Sequence, residues 1–164
     1  MSKPALYDDN PDNGILQGDI FSEIDFFLTT IDAGKQKQIS EKRPIAVVSQ
    51  TCDISDNDFL VISPIYTIEE YIQELNQKGE TSSKIRSNVG YIKSRKGLFD
   101  RFYLENLQII KGISKECFID LRKVNTLNKG LITIGDRIAS LSYWGRQVLD
   151  YQLMWVFGRP VTDW

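Results

Sequence analysis

The chain has no histidine in 164 residues. That absence excludes Ser-His-Asp triads, imidazole acid/base chemistry and the common metal sites built on imidazole. Any hydrolytic chemistry falls to Arg, Lys, Asp, Glu, Ser, Thr, Tyr or Cys. Cysteine is nearly as scarce. Cys52 and Cys117 do not make a disulfide framework, and two thiols are too few for a metal site on their own. No metal and no cofactor are therefore expected, and a reduced, cytoplasmic setting is. Long apolar runs are missing too: none approaches the ~20 residues that span a bilayer. The stretch Met1–Asn10 is polar and acidic, without the apolar centre of a signal peptide. A large positive charge is also lacking. The net charge of -2 excludes a globally basic nucleic-acid binder but permits a local basic patch.

What is present describes one domain spanning 1–164, with 41% hydrophobic and 26% charged residues, enough for a real core. Pro4, Asp8, Pro11 and Gly14 belong to an irregular lead. A strand is expected to open at Gly18-Asp19-Ile20-Phe21 and run through Phe26-Phe27-Leu28. Ile31 to Lys42 is polar and reads as a long exposed loop. Ile45–Ser49 and Leu60–Ser63 are β-branched and continuously apolar, which predicts strands buried on both faces. Pro44 suits the first position of a strand. Ser55-Asp56-Asn57-Asp58 reads as a hairpin turn.

Thr67 and Glu70 have the spacing of a capping box, and Ile68, Tyr71, Ile72 and Leu75 follow as one helical stripe that Gly79 ends. Phe102–Ile110 and Cys117–Leu121 have strand composition, and Arg122–Gly130 is polar and turn-like. Arg137–Leu141 leads to a final helix with Ser142 as N-cap and Gly158 and Pro160 at its end. The aromatics Trp144, Tyr151, Trp155, Phe157 and Trp164 fit core and interface roles. The helix is apolar over so broad an arc that part of it is expected to meet a partner.

Segment 81–101 stands apart. Lys84, Arg86, Lys93, Arg95, Lys96 and Arg101 face only Asp100, a net of about +5 in a chain of -2. Tyr91, Phe99, Phe102 and Tyr103 lie in or beside it. One reading is an RNA-tracking loop, with Lys84, Arg86, Lys93, Arg95 and Lys96 meeting phosphates and the rings stacking on bases. The other is a solvated loop whose aromatics belong to the next strand.

The order of features resembles the MazF/PemK-like toxins. The matching pieces are Gly18-Asp19-Ile20, the Arg43-Pro44 pair with the strand Ile45–Ser49, Leu60 to Thr67, Phe118–Leu121, and Arg137–Leu141 before a helix. The resemblance covers 15–67 and 117–157, with 68–115 as an enlarged inserted region. It implies a mainly β fold with α: an SH3-like β-barrel carrying an inserted helix and a C-terminal helix. It also implies a sequence-selective, metal-independent endoribonuclease that cuts single-stranded RNA, dimerises, and is neutralised by an antitoxin peptide.

The implied catalytic positions are Arg43, which would stabilise charge on the scissile phosphate, and Thr67, whose hydroxyl would orient the attacking 2′-OH. Capping alone also explains Thr67. Cys52-Asp53 departs from the family pattern. Asp53 reads equally as a carboxylate steadying Arg43 in a shared site or as a turn residue. Cys52 reads more simply as a small half-buried side chain than as a thiolate. The alternative function is a non-catalytic interaction module, such as an accessory subunit of a mobile-element or phage-defence system. A further reading places a small-ligand pocket at the Cys52/Asp53 rim.

Overall fold

The apolar run behind Arg43 lies at the heart of a sheet. The computed structural model describes residues 5–11, 13–32, 35–105 and 115–158. Strands β1 (Asp19–Asp32) and β2 (Lys35–Val47) form a long antiparallel hairpin. Helix α1 (Thr51–Asp56) leads into β3 (Phe59–Thr67). There follow α2 (Ile68–Gln77), α3 (Ser82–Ser94), β4 (Arg101–Leu104), β5 (Cys117–Asp120), β6 (Asn125–Asn128), β7 (Arg137–Ser140) and α4 (Tyr143–Phe157). Among the described residues this is a mixed α/β fold of four α-helices on a seven-stranded antiparallel sheet. The strand order is β4-β5-β3-β2-β1-β7, with β6 beside β3. β4 and β7 end the path without pairing to each other, so the sheet stays open.

The run is buried on both faces, as its unbroken apolar character requires. Ile45 and Val47 enter one core with Phe21, Phe26, Ile54, Leu60 and Ile62. Ala46 and Val48 enter another with Phe102, Leu104, Ile119 and Leu149. A third core joins α2 and α3 to Tyr103 and Phe118. The capping box at Thr67/Glu70 and the Ser142 cap both form.

Gly18 is held to glycine twice over. Its φ is +82°, and a Cβ there would lie 2.8 Å from the Leu141 Cβ. Asp19 beside it is fully buried, accepting from Arg137 (3.0 Å), Ser140 (2.6 Å) and the Leu16 N–H (2.9 Å).

Several expectations are corrected. Pro44 lies inside β2, not at its start. The β1–β2 register slips between Phe21 and Ile24, so Pro44 stands across from a bulge, where a missing N–H breaks no rung. The 31–42 stretch is strand on both sides of the hairpin; its β2 half is exposed except at half-buried Glu41, so no buried face imposes the alternation that marks a strand. Gly34 lies outside the described residues. The first half of the expected 55–58 turn, Ser55-Asp56, belongs to α1, which buried Ile54 anchors. Segment 81–101 is mainly the helix α3, capped by Thr81, with Ile85 and Ile92 buried. The 122–130 stretch contains β6, with only Leu127 of the strand buried. β4 ends at Leu104 within the expected 102–110 strand, whose residues 106–110 lie outside the described residues. Pro160 and Trp164 lie outside them as well.

Candidate functional site

Arg43 sits where β2 parts from β3. The last paired rung is Ile45 with Pro64. Just beyond it, Arg43 Nη1 donates to the Ile65 carbonyl at 3.1 Å, satisfying a strand acceptor that β2 no longer reaches. Nη2 donates to Glu41 at 3.0 Å and to Glu70 at 3.1 Å. Glu41 lies two residues back and so on the same face of β2. The guanidinium carbon stands 3.9 Å from the Tyr66 ring centre.

Glu70 links Arg43 to Thr67. Its Oε2 accepts from the Thr67 N–H (2.7 Å) and the Thr67 hydroxyl (3.0 Å), and the Glu70 N–H donates back to that hydroxyl (3.1 Å). The capping reading of Thr67 is therefore satisfied. The same geometry places its hydroxyl one carboxylate away from the arginine.

Burial opposes charge on Glu70, yet the Thr67 N–H and Arg43 outweigh it and hold the carboxyl below its usual pKa. Burial likewise pulls Arg43 down, and the bonds to Glu41 and Glu70 leave it above its ordinary value. Burial raises the Tyr66 phenol, despite the nearby Arg43 charge.

Two clefts flank this knot. One, of about 440 Å³, is lined by Lys42, Arg43, Pro44, Ile65, Thr67, Glu69, Glu70, Gln73, Lys115 and Cys117. The other, of about 220 Å³, is lined by Arg43, Tyr66, Glu70, Glu74, Asp120 and Lys123 among others. Lys123 donates to the Tyr66 hydroxyl at 3.0 Å. Lys115 pairs with Glu69 at the mouth of the larger cleft. Cys117 is buried there, its thiol pushed up to about 11 mainly by burial, so it stays protonated near neutrality.

Asp53 does not join Arg43. It lies exposed on α1, beyond the opposite end of the β2–β3 ladder. Its backbone carbonyl accepts from Asn57 and its carboxylate receives a weak contact from the Cys52 thiol at 3.8 Å. Neither Cys52 nor Asp53 lines a cleft beside Arg43.

The basic residues of 81–101 divide. Lys84 pairs with Glu80 and Lys93 with Glu116. Arg95 is half-buried and donates to the Tyr103 carbonyl at 2.8 Å; burial lowers its pKa. Arg86 and Lys96 are exposed, with no ion pair among the described residues. The segment is thus not a continuous phosphate track.

The partners missed by sequence reasoning are Glu41, Tyr66 and the second role of Glu70. Glu41 carried a signal, since i and i+2 on a strand share a face. Glu70 in contact with Arg43 carried none, because the contact spans 27 positions. Among the described residues no cluster of three His, Cys, Asp or Glu is placed to hold a metal, and no helix is long and apolar enough to cross a membrane. No family model matches the chain, and no curated protein matches it.

Proposed function

We propose that the chain is an RNA-directed protein of the MazF/PemK kind, an opened variant of the SH3-like barrel that cuts single-stranded RNA at the Arg43 cleft. The observation that carries this reading is the convergence of Arg43, Glu70 and Thr67 on one open cleft with Lys42 and Lys115 in its lining. A phosphate entering the cleft exchanges one carboxylate on Arg43 for one of its own oxygens. Arg43 then opposes the charge that grows as the 2′-oxygen attacks phosphorus and the P–O5′ bond breaks. The Thr67 hydroxyl orients the 2′-OH, and Glu70 is the carboxylate placed to take its proton; water reprotonates the leaving O5′. The depressed Glu70 pKa makes it a weak base, so slow turnover is expected.

A second reading follows from the same contacts. Two carboxylates and a carbonyl already occupy Arg43, and Thr67 is fully used as a cap. A knot so largely occupied also suits a non-catalytic interaction module, such as an accessory subunit of a mobile-element or phage-defence system or a target of an antitoxin-like peptide. Incubating the protein with mixed single-stranded RNA in EDTA separates the two. The nuclease reading expects discrete fragments that vanish with Arg43→Ala. RNA left intact by the folded wild-type protein supports the module.

A further inference from the structure

Helices α2 and α3 pack on β4 and β5 and leave a groove between themselves. Tyr71 and Leu75 of α2 and Ile85 and Ile92 of α3 join the third core, with Tyr103 and Phe118. Ile72 and Val89 pack against that core and stay only partly buried. The groove has a volume of about 350 Å³ and is lined by Ile72, Asn76, Ser82, Ile85, Arg86 and Val89. None of these six lines a cleft beside Arg43, so the groove does not depend on what that cleft does.

The lining is divided by chemistry. Asn76 and Ser82 are exposed on either side of the turn that joins the helices. Ile72 lies one turn before Asn76 and Val89 two turns after Ser82, so the groove becomes apolar away from the turn, above buried Ile85. Arg86 is the only charged side chain in the lining. It is exposed and makes no ion pair among the described residues, whereas Lys84 holds Glu80 and Lys93 holds Glu116. Helical side chains lean toward the N-terminus of their helix, which favours the Ser82 end for the guanidinium.

We propose that this groove binds a small amphipathic carboxylate, of which the anion of a medium-chain fatty acid is the simplest case. Its carboxylate meets Arg86, Asn76 and Ser82, and its alkyl chain lies along Ile72, Ile85 and Val89. An apolar floor with a few polar groups at one end is the usual make-up of a small-molecule site. Ser82 to Val89 spans about 10 Å at 1.5 Å per residue, room for a chain of that class. The lone cation selects the head group. A cationic amphiphile would meet Arg86 as a like charge, and a neutral one would leave the guanidinium without a partner.

Heteronuclear NMR titration of the full chain tests this, with sodium octanoate, octanol and sodium butyrate as probes below micelle formation. Octanoate is expected to shift the amides of Asn76, Ser82, Arg86 and Val89 with a dissociation constant of about 1 mM. Butyrate is expected to bind at least about tenfold more weakly, since each methylene laid on an open groove adds about twofold. Octanol is expected to bind about fivefold more weakly for want of a charge to meet Arg86. Arg86→Gln, at an exposed position, is expected to fold normally by circular dichroism and to bind octanoate no better than octanol. Val89→Glu sets a carboxylate in the groove and is expected to abolish octanoate binding. Equal affinity of the wild type for octanoate and octanol overturns the proposal. So do octanoate binding that Arg86→Gln leaves unchanged, shifts centred on the exposed aromatics of α4, or no shift at about 10 mM octanoate.

Discussion

The molecule contains two arginine–carboxylate knots, and their surroundings differ. Arg137 meets Asp19 under Gly18, with the carboxylate fully buried and bonded to Ser140 and a backbone N–H. Arg43 meets Glu41 and Glu70 beside an open cleft, with the Glu70 side chain 42% exposed. Each uses a short N–H···O pair. In the first, every exit is closed, and the pair fastens β1 to β7. In the second, solvent reaches one carboxylate, so an incoming anion can compete for the guanidinium at small cost. The first knot is suited to holding the fold and the second to exchange.

The largest test of that contrast is Asp19→Ala. It removes the buried carboxylate that Arg137, Ser140 and the Leu16 N–H all meet and is expected to cost about 3–5 kcal/mol, read by urea unfolding. A loss no greater than that of Arg43→Ala breaks the distinction between the knots. Thr67→Val removes the cap at the start of α2 and is expected to cost about 1 kcal/mol by the same assay. Arg43→Ala is expected to cost less than Asp19→Ala, because solvent reaches its Glu70 partner, and, on the proposed function, to abolish RNA cleavage.

Acid gives a smaller effect. The native Glu70 pKa lies below its unfolded value, so its contribution is complete above the usual carboxylate range and is lost as pH falls through the lowered native value. Glu70→Gln should flatten the acid limb of stability against pH, by less than about 1 kcal/mol at this half-exposed position. An unchanged limb would mean that Glu70 is not coupled to Arg43 in solution. The smallest effect concerns Arg86 and Lys96, the exposed cations of 81–101 without an ion pair among the described residues. If RNA runs past α3, Arg86→Ala and Lys96→Ala each lower the salt slope of RNA binding by about 1, whereas Lys84→Ala, already paired to Glu80, leaves it nearly unchanged.

Local rules carried much of the fold. The Thr67–Glu70 box, the Ser142 cap and the doubly buried run at Ile45–Val48 are each written within a few residues, and each forms. The failures share another physical pattern. The β1–β2 arm exposes its β2 side chains, so no apolar alternation reveals it. In α3 the stripe of Ile85, Val89 and Ile92 is thin and hidden among cations. α1 is too short for periodicity, and Ile54 is its only buried anchor. At the site, Arg43 and Thr67 were legible as residues. The carboxylate that joins them was not, because Glu70 reaches Arg43 only once β2 and β3 are paired and α2 starts at the end of β3. Asp53 sat close to Arg43 in sequence and went to the other end of the ladder.

The contrast between a closed and an open knot rests finally on Arg43. Wild-type protein and Arg43→Ala, both shown folded by circular dichroism, are each incubated with mixed single-stranded RNA in EDTA, and the products are resolved by denaturing electrophoresis. The account predicts discrete fragments from the wild type and none from the variant. Intact RNA in both lanes, or identical fragments in both, contradicts it.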